Sequence, residues 1–156
     1  MGLLEALVGD GEAFQGNRIY LDTNTWIYAL EGYSDFRPAL TLLFEQIQTG
    51  ALTGITSELT LAELLVKPCQ DQDLAQQARY KRAIANRQHC FIMPVLRDLL
   101  IDAAAVRAKT QLKLPDAIHV ATAIRANCTT FLTNDRQLKK LTDIPVVLLS
   151  EVIDAR

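Results

Sequence analysis

The chain has 156 residues, 49% of them hydrophobic, enough for one domain with a proper core and no linker. Its 16 Lys and Arg against 18 Asp and Glu leave a formal charge of −2, which excludes blanket electrostatic attraction to nucleic acid. A phosphate-rich partner must then be met by a local basic patch or through a metal. Cys69, Cys90 and Cys128 are an odd set without a C-x-x-C pair, which argues against a disulfide framework or a zinc cluster and fits a reducing cytoplasm. No apolar run approaches the ~18 residues of a membrane span. The first residues have no basic start, and Glu5 interrupts Leu3, Leu4, Leu7 and Val8, so a secretory signal is not expected either.

In chain order, residues 1 to 17 read as a leader, a short helical turn and a glycine-rich connector with Gly9, Gly11 and Gly16. Ile19 to Leu21 is the first strand, and Thr23 to Leu30 a helix that Gly32 ends. Ser34-Asp35 caps a second helix that runs to about Thr49 with Phe36, Leu40, Leu43, Phe44 and Ile47 on one face. Ala51 to Thr56 is a second strand; Ser57 to Val66 is helical and stopped by Pro68; Asp71 to Asn86 is a polar helix. Cys90 to Val95 gives a third strand, Leu96 to Lys113 an amphipathic helix, and Leu114-Pro115 opens a further helix to Asn127. Thr130 to Leu132 is a fourth strand, followed by a short helix and a fifth strand, Pro145 to Leu149. Apolar strands alternating with helices predict an α/β fold, a parallel sheet covered on both faces.

Four carboxylates stand where such a fold gathers its chemistry. Asp22 ends the first strand, Asp135 follows the fourth, and Asp116 and Glu63 lie in the first turns of helices, so that all four can reach the sheet's C-terminal edge. Each pair of ionised carboxylates brought within about 4 Å repels by roughly 4 kcal/mol at an effective dielectric of 20. A divalent cation relieves that repulsion, and oxygen ligands suit Mg²⁺ or Mn²⁺, which activate water and stabilise displacement at phosphate. Singly, each residue has a plainer explanation. Asp22 and Asp135 suit helix N-caps, Asp116 suits the helix dipole, and Glu63 could pair with Lys67 four residues on. Independent caps, however, have no reason to converge on one edge of one sheet. Asn24, Thr133 and Asn134 flank the strand-end aspartates and could orient a ligand or a metal-bound water. His119, three residues after Asp116, fits a supporting or core position better than a metal ligand, because no second histidine accompanies it. His89 is given no role.

The segments I-Y-L-D-T-N-T-W-I-Y-A-L (19–30), T-S-E-L-T-L-A-E-L-L (56–65), K-L-P-D-A-I-H-V-A-T-A (113–123) and F-L-T-N-D-R-Q-L (131–138) resemble, in order and spacing, the motifs of PIN-domain ribonucleases, particularly VapC-type toxins. The resemblance covers about residues 18–150 and implies a three-layer α/β/α domain, residues 18–156, around a five-stranded parallel sheet. It also implies a Mg²⁺- or Mn²⁺-dependent endoribonuclease site at Asp22, Glu63, Asp116 and Asp135, with small polar support from Asn24 and Thr133. A homodimer and a cognate antitoxin whose C-terminal segment enters the active-site groove are further expectations. The leader departs from the pattern, in which the first strand often opens the chain. Candidate contacts to single-stranded or loop RNA are Arg79, Lys81, Arg82, Arg107, Lys113 and Arg136, each of which also suits a solvated helix face.

Two other readings compete. A haloacid-dehalogenase-like phosphatase also begins with an apolar strand and an aspartate, which would be the nucleophile, but it needs D-x-D and Asn24 occupies the second position. A PIN-like module that binds RNA or protein without cutting would keep the fold alone; the four intact acidic positions speak against it.

Overall fold

The computed structural model describes residues 17–154, so the expected leader lies outside the described residues except for Asn17. Five strands, β1 (Arg18–Leu21), β2 (Thr53–Ser57), β3 (Cys90–Met93), β4 (Thr130–Thr133) and β5 (Val146–Leu148), form one all-parallel sheet in the order β3-β2-β1-β4-β5. The helices are α1 (Thr23–Glu31), α2 (Arg37–Gln48), α3 (Glu58–Gln70), α4 (Leu74–Ala83), α5 (Arg97–Thr110), α6 (Leu114–Arg125) and α7 (Leu149–Asp154), with a 3₁₀ turn at Arg136–Lys140. The chain builds outward from β1 through β2 to β3, then crosses back to lay β4 on the other side of β1. With right-handed crossovers, that reversal puts α5 and α6 on the opposite face from α1 to α4. The order therefore reverses between β1 and β4, the place where open α/β sheets bind ligands beyond the strand C-termini.

The central strand divides its side chains between the two layers, as alternation requires. Ile19 and Leu21 enter one core with Trp26, Leu43, Ile47 and Leu64. Tyr20 enters the other with Ile55, Val120 and Phe131, while Leu99, Ala103, Ala117 and Ala121 close the α5–α6 seam. All of these side chains are buried, and each full burial contributes on the order of 1.5–3 kcal/mol for the large ones. Gly32 ends α1 at φ +71°, a left-handed conformation that glycine adopts without strain, and its N–H closes on the Tyr28 carbonyl at 3.1 Å.

Four details differ from the expectations. The cap of α2 is Phe36 rather than Ser34 or Asp35, because Pro38 fixes the first turn of the helix further on. Pro68 does not stop α3: the missing N–H falls in the last turn, the ring is buried, and the Pro68 carbonyl accepts from Asp73 N and the Gln77 amide. Gln72, at φ +54°, then breaks the chain, so α4 starts later and is capped by Asp73, whose carboxylate accepts from Gln76 N at 3.0 Å. Finally, a short helix, α7, follows β5 where no element was expected, burying Leu149 and Val152 against the first core.

Candidate active site

Asp22, Thr23, Asn24, Glu63, Asp116, His119 and Asp135 line one cleft of about 270 Å³ at the C-terminal edge of β1 and β4. Local structure puts each of them there. Asp22 is the N-cap of α1: the strand ends, and the carboxylate turns back to accept from Thr25 N at 3.1 Å and Thr25 Oγ1 at 3.2 Å. The Thr133 hydroxyl, at the end of β4, donates to its other oxygen. Asp22 is only 7% exposed, and burial pushes its carboxyl up against the opposing pull of the Thr133 and Thr25 bonds.

Glu63 lies one turn into α3. Its Oε1 accepts from Thr23 Oγ1 at 2.8 Å and is 2.5 Å from His119 Nε2. Burial would raise this carboxyl, but the His119 and Thr23 interactions prevail and hold it below the usual value. Lys67 is not its partner: Lys67 pairs with Asp71 at 3.2 Å. Val66, three residues further along the same helix, is 55% exposed.

Asp116 stands in the first turn of α6, after Pro115 has set the helix start. It is half-buried, and its carboxyl is raised by burial and then by the negative charge of Asp135, with a smaller push from Glu63. Asp135 caps the 3₁₀ turn by accepting from Gln137 N at 2.9 Å, while its own N–H donates to Thr133 Oγ1 at 3.0 Å. Thr133 therefore ties the two strand-end aspartates together.

Among the described residues, no three acidic, imidazole or thiol side chains already converge as a metal cage. Asp22 is turned onto its threonines and Glu63 onto Thr23 and His119. The donor set nevertheless fits a hard cation: it consists of carboxylate oxygens, it carries the mutual repulsion felt at Asp116, and the cleft exceeds by far the ~30 Å³ of one water. Mg²⁺ in particular keeps several waters and needs only one or two protein carboxylates.

A PIN domain family model matches residues 19–144, a span that includes all four carboxylates and both strands that carry the cleft. The chain belongs to the PIN domain family. No curated protein sequence matches it. Among solved structures, this PIN domain is similar to VapBC2 from Rickettsia felis bound to a promoter DNA fragment, at 18% identity and TM-score 0.67 over 84% of this chain and 98% of that one. It is likewise similar to a toxin–antitoxin complex from Klebsiella pneumoniae, at 24% identity and TM-score 0.63 over 85% and 98%. A third neighbour is DNA-bound VapBC from Salmonella typhimurium, at 16% identity and TM-score 0.60 over 85% and 98%. These likenesses establish the three-layer fold.

Of the other residues picked from the sequence of this PIN domain, Asn24 and His119 line the cleft and Thr133 supports it. Asn134 does not: its amide reaches the Tyr28 hydroxyl at 3.4 Å and accepts from Ser150 N at 3.3 Å, pinning α7 to α1. Lys113 and Arg136 are exposed and adjoin the two rim aspartates. Arg79 is tied to the Leu30 carbonyl and Arg107 to the Leu112 carbonyl at 2.6 Å, while Lys81 and Arg82 lie on the last turn of α4, away from the residues of the cleft. Sequence reading passed over Thr23, Thr25 and Tyr20. The signal available was D-T-N-T itself, in which threonines follow a strand-end aspartate at the spacing of a cap.

Proposed function

We propose that the chain is a Mg²⁺- or Mn²⁺-dependent endoribonuclease, the VapC-like toxin of a toxin–antitoxin pair, acting in the cytoplasm on single-stranded or loop RNA. The observation that carries this is the convergence of Asp22, Glu63, Asp116 and Asp135 on one cleft at the point where the strand order reverses. Asp22, Asp116 and Asp135 would hold the ion, with Glu63 at the wall, directly or through water. A bound ion supplies the positive charge that polarises a phosphate and lowers the pKa of a water.

The chain's own residues do the positioning. Thr133 and Thr25 fix the Asp22 carboxylate so that no torsional freedom is lost when it takes a ligand. Thr23 and His119 keep Glu63 ionised and aimed across the same space. Lys113 and Arg136 are the cations best placed to meet the RNA backbone, which contributes affinity without sequence choice. Three solved neighbours are toxin–antitoxin or VapBC complexes, which supports an antitoxin partner; a homodimer is proposed with it.

The purified chain is expected to cut single-stranded RNA with Mn²⁺ present, to stop when the ion is chelated, and to lose cleavage in Asp22→Asn. Equal cleavage by Asp22→Asn, or none by the wild type with Mn²⁺, would overturn the proposal.

A further inference from the structure

Beneath the cleft lies a buried group that the proposed chemistry leaves unused. Tyr20 precedes Asp22 by one strand repeat and so points to the same side of the sheet, into the α6 layer. It is fully buried, with its ring stacked on Phe131 at a centroid distance of 4.9 Å. Its hydroxyl is 2.5 Å from His119 Nδ1, and the other nitrogen of the same ring is 2.5 Å from Glu63 Oε1 and 3.3 Å from Thr23 Oγ1. A line of hydrogen bonds thus runs from a core strand through α6 to the carboxylate on α3.

The direction of that line follows from which groups own protons. A phenol carries its hydrogen at neutral pH, so the buried Tyr20 hydroxyl, 2.5 Å from His119 Nδ1, has a hydrogen to give. Glu63 already accepts from Thr23 Oγ1 at 2.8 Å and, as an ionised carboxylate at neutral pH, can only accept. The imidazole between them satisfies both neighbours by accepting at Nδ1 and donating at Nε2.

We propose that Tyr20 is a positioning residue of the acidic site: it fixes His119 as the tautomer with hydrogen on Nε2, and that N–H holds Glu63 at the cleft wall. The inference rests on the metal-dependent nuclease reading for the task it gives Glu63, but not for the hydrogen-bond order itself. Tyr20 touches neither the cleft nor a substrate and acts only through His119.

The test is ¹⁵N NMR of the imidazoles in the full chain at neutral pH, without metal or RNA, using His89→Gln to assign the two histidines. The wild type is expected to show His119 with a bare Nδ1 and a protonated Nε2. Tyr20→Phe keeps the ring against Phe131 and removes only the donor. It is expected to move a measurable share of His119 to the Nδ1-protonated tautomer and to weaken Mn²⁺ binding about 10-fold, the lower end of what partners of metal ligands typically cost. Hydrogen on Nδ1 in the wild type, alone or together with Nε2, overturns the proposal whether or not the variant folds. So does a folded Tyr20→Phe with the wild-type tautomer and unchanged Mn²⁺ affinity. A wild type that has the expected tautomer, loses it in Tyr20→Phe, and yet binds no Mn²⁺ and cuts no RNA would support the hydrogen-bond order and sink the nuclease reading alone.

Discussion

The cleft has two walls built on opposite principles. On the inner wall, Asp22 and Glu63 are each held by named donors: Thr25 and Thr133 for the first, Thr23 and His119 for the second. On the rim, Asp116 and Asp135 are half-buried, and the Asp116 carboxyl is raised first by burial and then by the Asp135 charge. The inner wall is arranged by the protein alone, whereas the rim carries repulsion that His119 and Lys113 offset only in part and that a cation would relieve. In the proposed metal site, Asp22 and Glu63 would be oriented in advance by these partners, and relief of the rim repulsion would favour the ion.

Replacing a carboxylate on either wall should be the most damaging change. Asp22→Asn and Asp116→Asn are each expected to lower RNA cleavage by more than about 100-fold, since loss of a ligand exceeds the 10–100-fold usual for its partners; initial rates with Mn²⁺ would measure this.

Thr133→Val breaks the inner wall without touching a carboxylate. Removing a hydrogen bond to a buried charged group costs roughly 1.5–3 kcal/mol, and urea unfolding should record that loss, together with weaker Mn²⁺ binding.

The rim gives the opposite stability result. In metal-free protein, Asp116→Asn removes repulsion and is expected to stabilise by up to about 1 kcal/mol after solvent screening, while abolishing activity. The pH dependence separates the walls. A carboxyl raised on folding binds protons more tightly in the folded state, so its contribution to stability falls as pH rises from the ordinary 3.8 of Asp116 through the raised folded value, then levels. Glu63 runs the other way: its contribution is complete above 4.5 and is lost as pH falls through its lowered folded value. Unfolding free energies with chelator across this range should therefore decline less steeply with rising pH in Asp116→Asn than in the wild type.

The smallest effect belongs to Asn134, which lies outside both walls. Asn134→Ala should cost less than about 1 kcal/mol from two long hydrogen bonds and leave the cleavage rate unchanged; a large loss of activity would place Asn134 in the site after all.

Much of this was legible in the sequence because strand ends and helix starts are local. Leu21-Asp22, Leu114-Pro115-Asp116 and Thr133-Asn134-Asp135 announce their own turns, and parallel pairing then brings them to one edge. Glu63 was legible as a carboxylate on α3, but its partner was not. Lys67 is the neighbour by helical spacing, whereas Thr23 and His119 reach it across 40 and 56 residues of chain. The same holds for Tyr20, whose spacing says only that it is core. Pro68 misled because its penalty depends on the depth of the proline within a helix, and α7 was hidden because a six-residue helix has too little periodicity to read.

In the proposed site a divalent cation would be held through both walls of the cleft. Calorimetric titration of Mn²⁺ into the metal-free chain at neutral pH tests it most directly. Saturable binding in the wild type that is lost in both Asp22→Asn and Asp116→Asn is the predicted result. No binding in the wild type, or the same affinity in either variant, would contradict it.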